Sequence, residues 1–351
     1  MKKKYSAIDV FCGIGGLSYG LKEAGIPVLA GIDLDNSCRY AFEENIKADF
    51  ITKDISELRG SDILDKYWSN KNNIKILVGC APCQPFSSHS NKNKNKERSK
   101  KWHLLNEFKR LVEETNPEII SMENVPNLSN QQIFIDFVSY LEELNYNVSS
   151  SNIYCPDYGI PQKRRRLVLL ASRLAPIEIL PKTHEQQSYI STQQVIGNLP
   201  RVASGEICKS DPLHRTTKLT EINLQRIKAS KPNGTWLDWK KELRLKCHKK
   251  LSGDTYRSVY GRMSWDEPSP TITTQFYNYG TGRFGHPKQN RALTIREAAL
   301  LQSFPLNYKF YDKEENIFLT KLGTHIGNAV PPRLGYIIGK TIIKHIEENY
   351  G

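Results

Sequence analysis

The run Ile74-Lys-Ile-Leu-Val78 meets Gly79 and opens at once into Cys80-Ala-Pro-Cys-Gln-Pro-Phe-Ser-Ser88. A buried strand emptying into a proline-stiffened loop leaves a chain few folds to choose from. Pro82 and Pro85 fix φ on either side of Cys83 and restrain the residues before them. A thiol held rigidly past the carboxyl end of a strand is where an open α/β sheet places its chemistry. Cys80 and Cys83 also form a Cys-x-x-Cys pair, which by itself fits half a metal site or a redox couple. No second such pair follows, and no histidine pair stands nearby at ligand spacing, so no metal site is expected. The seven cysteines lie scattered through 351 residues, which argues equally against a disulfide framework.

The residues upstream carry the same alternation. Residues 6–11 read as a buried strand, followed by Cys12-Gly-Ile-Gly-Gly16 and a helix over about 17–24. Glycines between strand and helix let backbone approach a ligand at the positive end of the helix. The dinucleotide fingerprint Gly-x-Gly-x-x-Gly is not met, because Ser18 stands where its third glycine belongs. The next strand, 27–32, ends in Asp33, a placement that suits the ribose hydroxyls of an adenosine cofactor or a helix cap before Asn36-Ser37. Asp54-Ile55 closes a further short strand or turn, where the carboxylate fits an adenine amino group or a turn cap. Strand, helix, strand, helix, strand predicts an α/β, doubly wound, Rossmann-like sheet.

Beyond Cys83, residues 90–101 are polar, basic and without apolar period. They are expected to form a surface loop, either merely solvated or a lid with phosphate-seeking lysines. Apolar residues at helical spacing begin at Leu104, and a strand follows over 118–125. Glu123 and Asn124 interrupt its carboxyl end, and a carboxylate there is costly unless paired or working. Gln162, Arg164 and Arg166 alternate in an extended segment, so one face is expected to carry all three. Such donors suit phosphate or a base edge, and a solvated basic edge strand would look the same.

From about 181 to 290 long apolar periods stop, turn signals accumulate, and tryptophans and tyrosines sit among lysines and arginines. That texture fits nucleic acid or a small aromatic core. Lys and Arg number 50 against 37 Asp and Glu, a surplus of +13 that points to a polyanionic partner. Thr294-Ile-Arg-Glu297 is a capping box opening a short helix, and an apolar helix over 333–347 is expected to return to the first domain. The start resembles a signal-peptide n-region, but Asp9 breaks the apolar stretch, so a cytoplasmic protein without membrane contact is expected.

Taken in order, Asp9-Val-Phe-Cys-Gly-Ile-Gly-Gly16, Pro82-Cys83-Gln84, Glu123-Asn124-Val125, Gln162-x-Arg164-x-Arg166, Arg291 to Pro305 and Gly327-Asn-Ala-Val-Pro331 resemble the motifs of one family. It is the DNA cytosine-5 methyltransferases, of the bacterial restriction-modification type. The resemblance implies a catalytic and cofactor-binding domain over 1–180 plus 315–351, and a smaller, irregular, β-containing target-recognition domain over 181–314. It implies S-adenosylmethionine as cofactor, held by Phe11, Gly13, Gly15, Gly16, Asp33, Leu34, Asp54, Ile55, Pro82, Leu104, Asn328 and Ala329. Asp33 departs from the glutamate common at its place. Cys83 would be the nucleophile, Glu123 would act on the cytosine ring, and Arg164 and Arg166 would favour the thiolate. Ser87, Lys92, Lys94, Lys96, Arg98 and Gln162 would touch double-stranded DNA. A monomer is implied, with a cognate restriction endonuclease as a further partner. A transfer-RNA cytosine methyltransferase shares these motifs, although its Cys-Phe-Thr signature is absent here. An inactive DNA-binding homologue is the other alternative.

Overall fold

The computed structural model describes residues 4–70, 72–82, 96–249, 256–312 and 316–350, with backbone alone at 96–102 and 249. Two compact units emerge: Met1–Tyr158 with Arg165–Thr183 and Ala329–Gly351, and Gly159–Arg164 with His184–Asn328.

The first unit is built on strands β1 (Tyr5–Val10), β2 (Val28–Asp33), β3 (Asp49–Thr52), β4 (Ile74–Gly79), β5 (Ile119–Asn124), β6 (Asn147–Tyr154) and β8 (Arg165–Ser172). The short strand β7 (Gln162–Lys163) belongs to the second unit. The sheet order is β3-β2-β1-β4-β5-β8-β6, parallel through β5. The last two strands are antiparallel additions, with β8 pairing antiparallel to both neighbours. Strand β5 is buried along its whole length, as the centre of a parallel sheet requires. Strand β6 is a half-exposed edge, mostly Asn and Ser before Ile153 and Tyr154, with no apolar run by which the sequence could announce it. Strand order reverses between β1 and β4, which opens the ligand crevice of such sheets at their carboxyl ends.

Helices α1 (Gly16–Ala24), α2 (Arg39–Ile46), α3 (Gly60–Tyr67), α4 (Lys96–Thr115), α5 (Gln132–Glu143) and α10 (Pro332–Tyr350) cover the sheet. Helix α10 packs on α1 through glycine. A Cβ on Gly20 would sit 2.2 Å from Pro332 O, and one on Gly335 2.6 Å from Leu17 O. The core beneath holds one large apolar cluster, with Ile8, Val10, Leu77, Phe108, Ile120, Met122 and Leu169 among its members. Helix α4 corrects the expectation of a loop over 96–101. Its first turns, Lys96-Glu-Arg-Ser-Lys-Lys101, lack an apolar face but consist mostly of good helix formers without Gly or Pro.

The second unit has little sheet: β9 (Ile207–Cys208) against β10 (Asp211–Arg215), and β7 beside β11 (Ser269–Pro270). Helices α6 (Thr192–Ile196), α7 (Glu221–Ala229), α8 (Ile295–Leu301) and α9 (Leu319–Asn328) are short, and several 3₁₀ turns lie between α7 and α8. Gly323 and Gly327 bring α9 against Thr273, Thr274 and Tyr277, so the chain stays in this unit until residue 328 rather than 314. Trp236, Trp239, Phe276 and Tyr279 are buried and form its core instead of a stacking platform. A buried ion pair holds α8: Arg291 Nη1 and Nη2 meet Glu297 Oε2 and Oε1 at 2.8 and 2.7 Å. Arg262, also buried, donates to the carbonyls of His286, Ile227 and Ser230. No helix among the described residues is long and apolar enough to cross a membrane.

Candidate active site

Two loops meet at the switch point, one after β1 and one after β4. After β1 the backbone turns left-handed at Phe11 (φ 61°), Gly13 (51°) and Gly15 (83°) before α1 begins. An aromatic residue at positive φ is a strained conformation of the kind that collects at functional sites. Gly13 N donates to Asp33 Oδ2 at 2.8 Å, and Asp35 N to Asp33 Oδ1 at 2.9 Å. Asp33 therefore ties the glycine loop to the end of β2. The cap before Ser37 is Asp35, not Asp33.

A Cβ on Gly13 would meet no described atom within 4 Å, so the loop is open there. On Gly16 it would lie 2.2 Å from Val330 O and 3.5 Å from Ala329 Cβ, which places the approach to α10 directly on the loop. Leu34, next to Asp33, is 67% exposed. Asp54 Oδ1 accepts from Ser56 N and Oγ, which hold its carboxyl below the usual range, while Ile55 is buried. Pro82 is exposed and Leu104 half-buried. Asn328 ends α9 in the second unit, exposed. Beneath the loop, Asp9 accepts a 2.6 Å hydrogen bond from Ser18 Oγ, and burial raises its pKa to about 7.

Parallel pairing of β4 with β5 sets the second loop. Gly79 stands opposite Met122, so the next residues, Cys80 and Glu123, fall side by side. Cys80 Sγ donates to Glu123 Oε2 at 2.8 Å. One step on, Asn124 Nδ2 donates to Ala81 O at 3.0 Å and anchors the chain two residues before Cys83. From the other side, β8 delivers Arg166, whose Nε lies 2.8 Å from Glu123 Oε1. Glu123 is only 2% exposed, so Arg166 rather than bulk water faces its carboxyl group. Cys83, Ser87, Lys92 and Lys94 lie outside the described residues, and Lys96 and Arg98 are placed only as backbone in α4.

The structure separates the three alternating donors instead of aiming them one way. Arg166 meets Glu123, whereas Gln162 and Arg164 are buried in the second unit. Gln162 donates to Leu301 O and Gln302 Oε1 and accepts from Ile272 N, so its amide is engaged within the protein instead of facing DNA. Arg164 Nη1 donates to Ile272 O. The strand break between β7 and β8 explains the split, since a strict alternation holds only along one continuous strand. Cys80 is the site residue that sequence reading passed over. Its signal was the register of two parallel strands, which no local motif displays.

The family model for C-5 cytosine-specific DNA methylases matches residues 5–344. This chain belongs to that family, and it is an enzyme that methylates carbon 5 of cytosine in DNA. Type II methylase M.HgiDII of Herpetosiphon aurantiacus is 50% identical over 345 residues, 97% of this chain and 96% of the relative. Type II methyltransferase M1.BsuMI of Bacillus subtilis (strain 168) is 32% identical over 94% of this chain and 78% of its own. Among solved structures, a prophage-encoded E. coli protein described as a DNA modification methyltransferase shares the fold. Its TM-score is 0.74 at 21% identity, covering 98% of this chain and 100% of that one.

Proposed function

We propose that the enzyme methylates one cytosine within a specific duplex sequence, with S-adenosylmethionine as methyl donor and Cys83 as covalent nucleophile. The observation that carries this reading is the buried Glu123–Arg166 pair, at the strand end whose neighbour leads into Cys83. The residues around the first loop fit the cofactor. The glycine turn is open at Gly13, the amino end of α1 follows it, Asp33 stands at the end of β2, and Leu34 offers an exposed apolar face. Asp33 would hold the ribose, Leu34 and Ile55 the adenine, and Phe11, Gly15, Gly16 and Ala329 the cradle between, with Asp54, Pro82, Leu104 and Asn328 at its margin. When bound, S-adenosylmethionine supplies an electrophilic methyl group.

Carbon 5 of cytosine is too poor a nucleophile to take that methyl group unaided. Addition of the Cys83 thiolate to carbon 6 makes carbon 5 enamine-like. Glu123 passes a proton to ring nitrogen 3 as the sulfur adds, which drains the developing charge. Arg166 holds the carboxylate that remains. A general base then takes the proton from carbon 5, the bond from sulfur to carbon 6 breaks to expel Cys83 as thiolate, and nitrogen 3 returns its proton to Glu123. The base must leave the stack first, at a cost of a few kcal/mol.

Residues 181–290 choose the sequence, and Lys92, Lys94, Lys96, Arg98 and Ser87 supply contacts to DNA, as the family resemblance implies. The type II names of the relatives support a restriction-modification setting with a cognate endonuclease. Methylation-sensitive sequencing of DNA from cells expressing the protein tests the reading. One sequence context should carry 5-methylcytosine, and the mark should vanish with Cys83→Ala. Methylated transfer RNA beside unmarked DNA would contradict it.

A further inference from the structure

We propose that Cys80, three residues before the nucleophile, is a positioning residue that sets the proton-bearing oxygen of Glu123. The inference rests on the reading of Glu123 as the acid at ring nitrogen 3. A glutamate's last torsion is broad and roughly two-fold, so a buried carboxylate needs a partner on each oxygen to fix its plane. Glu123 has them: an ion pair with Arg166 Nε at 2.8 Å from Oε1, which lacks hydrogen-bond geometry, and a hydrogen bond from Cys80 Sγ at 2.8 Å to Oε2, the directional contact of the two. Both come from backbone already locked in the sheet, since Cys80 directly follows β4 and Arg166 lies in β8.

The two partners differ in kind. A guanidinium is a permanent cation that stabilises negative charge on the oxygen it faces, whereas a thiol is a weak donor. The guanidinium therefore covers Oε1, and Oε2, beside the thiol, is the oxygen assigned to the proton transfer. In the reaction the Oε2–H bond breaks and the bond from nitrogen 3 to hydrogen forms. The Cys80 thiol remains donated to Oε2 throughout. Cys80 itself touches neither base nor cofactor in this scheme.

The test is the single-turnover rate of tritiated-methyl transfer to duplex DNA in a double-mutant cycle. Cys80→Ala is expected to lower the rate about fivefold to tenfold, the worth of one ordinary hydrogen bond, since a thiol is a weak donor, with DNA affinity unchanged. Cys80→Ser keeps a donor and should restore most of the rate. Cys80→Val keeps the bulk without the donor and should behave like alanine, so it answers the same question if the alanine variant folds poorly. In a Glu123→Gln background, where no proton is carried, Cys80→Ala should cost less than about twofold more. A wild-type rate in Cys80→Ala, an equal loss in both backgrounds, or no rescue by serine would overturn the inference. A wild-type rate in Glu123→Gln would instead overturn the role given to Glu123 itself.

Discussion

The two units of this chain reach a folded core with different balances of apolar and charged burial. The sheet unit buries a continuous apolar cluster, from Ile8 and Val10 through Leu77 and Phe108 to Leu169. The second unit buries Arg262, Arg291, Glu297, His214 and His286 as well, and satisfies them one contact at a time. An apolar core is forgiving in detail but repetitive in sequence, so it can be read from periodicity. A polar core depends on single pairings between residues distant in sequence, and no period marks them. Arg262 binds the carbonyls of Ile227 and His286, 35 and 24 positions away.

The contrast can be broken most readily at Arg291. Replacing it with methionine strands the Glu297 carboxylate in the core and should cost about 3–5 kcal/mol by urea denaturation. Adding Glu297→Leu should recover most of that loss, because an apolar pair of similar bulk needs no partner. Failure to recover would mean that the second unit is not held together in the way described. A smaller loss belongs to the sheet unit, where Gly20→Ala would force a methyl to within 2.2 Å of Pro332 O. Overpacking of α1 against α10 should cost about 1–3 kcal/mol by the same measurement.

Acid should move the two units in opposite directions. Burial lifts the folded pKa of Asp9 to about 7, above its unfolded value of 3.8, so the folded sheet unit binds more protons across that window. Its contribution to stability grows as pH falls from 7 toward 4. Burial lowers His286 to about 4, and the Arg291 charge helps hold Glu297 near 2. Here the unfolded chain binds more protons, so stability falls as pH drops below about 6.5, and further below about 4.5. Hydrogen exchange in urea at pH 7 and 5.5 should show sheet-unit peptides gaining protection and Arg291–Glu297 peptides losing it. Movement in the same direction would erase the contrast. The smallest effect is expected at the exposed pair Lys66–Asp49, 2.8 Å apart, where Lys66→Ala should leave the unfolding midpoint unchanged.

The same division governs what the sequence disclosed. Strands β1, β2, β4 and β5 and the glycine turn stand out because apolar runs end in glycine or in a costly carboxylate. The edge strand β6 is too polar to show, and α9 was missed because Gly323 and Gly327 interrupt its pattern. At the site, Glu123 is legible as a charge in a core strand, but its partners are not. Arg166 reaches it through an antiparallel addition to the sheet, and Cys80 through parallel register. Gln162 and Arg164 look like its companions and are spent on the second unit instead.

The covalent role of Cys83 is tested most directly with duplex DNA carrying 5-fluorocytosine at the methylated position. Fluorine cannot leave as a cation, so the step that frees the enzyme is blocked after sulfur has added to carbon 6. In the presence of S-adenosylmethionine, a protein–DNA complex should survive denaturing electrophoresis, and mass spectrometry should locate the bond on Cys83. The complex should be lost in Cys83→Ala and persist in Cys80→Ala. A bond to Cys80, or no trapped complex from enzyme that methylates unmodified DNA, would contradict the mechanism.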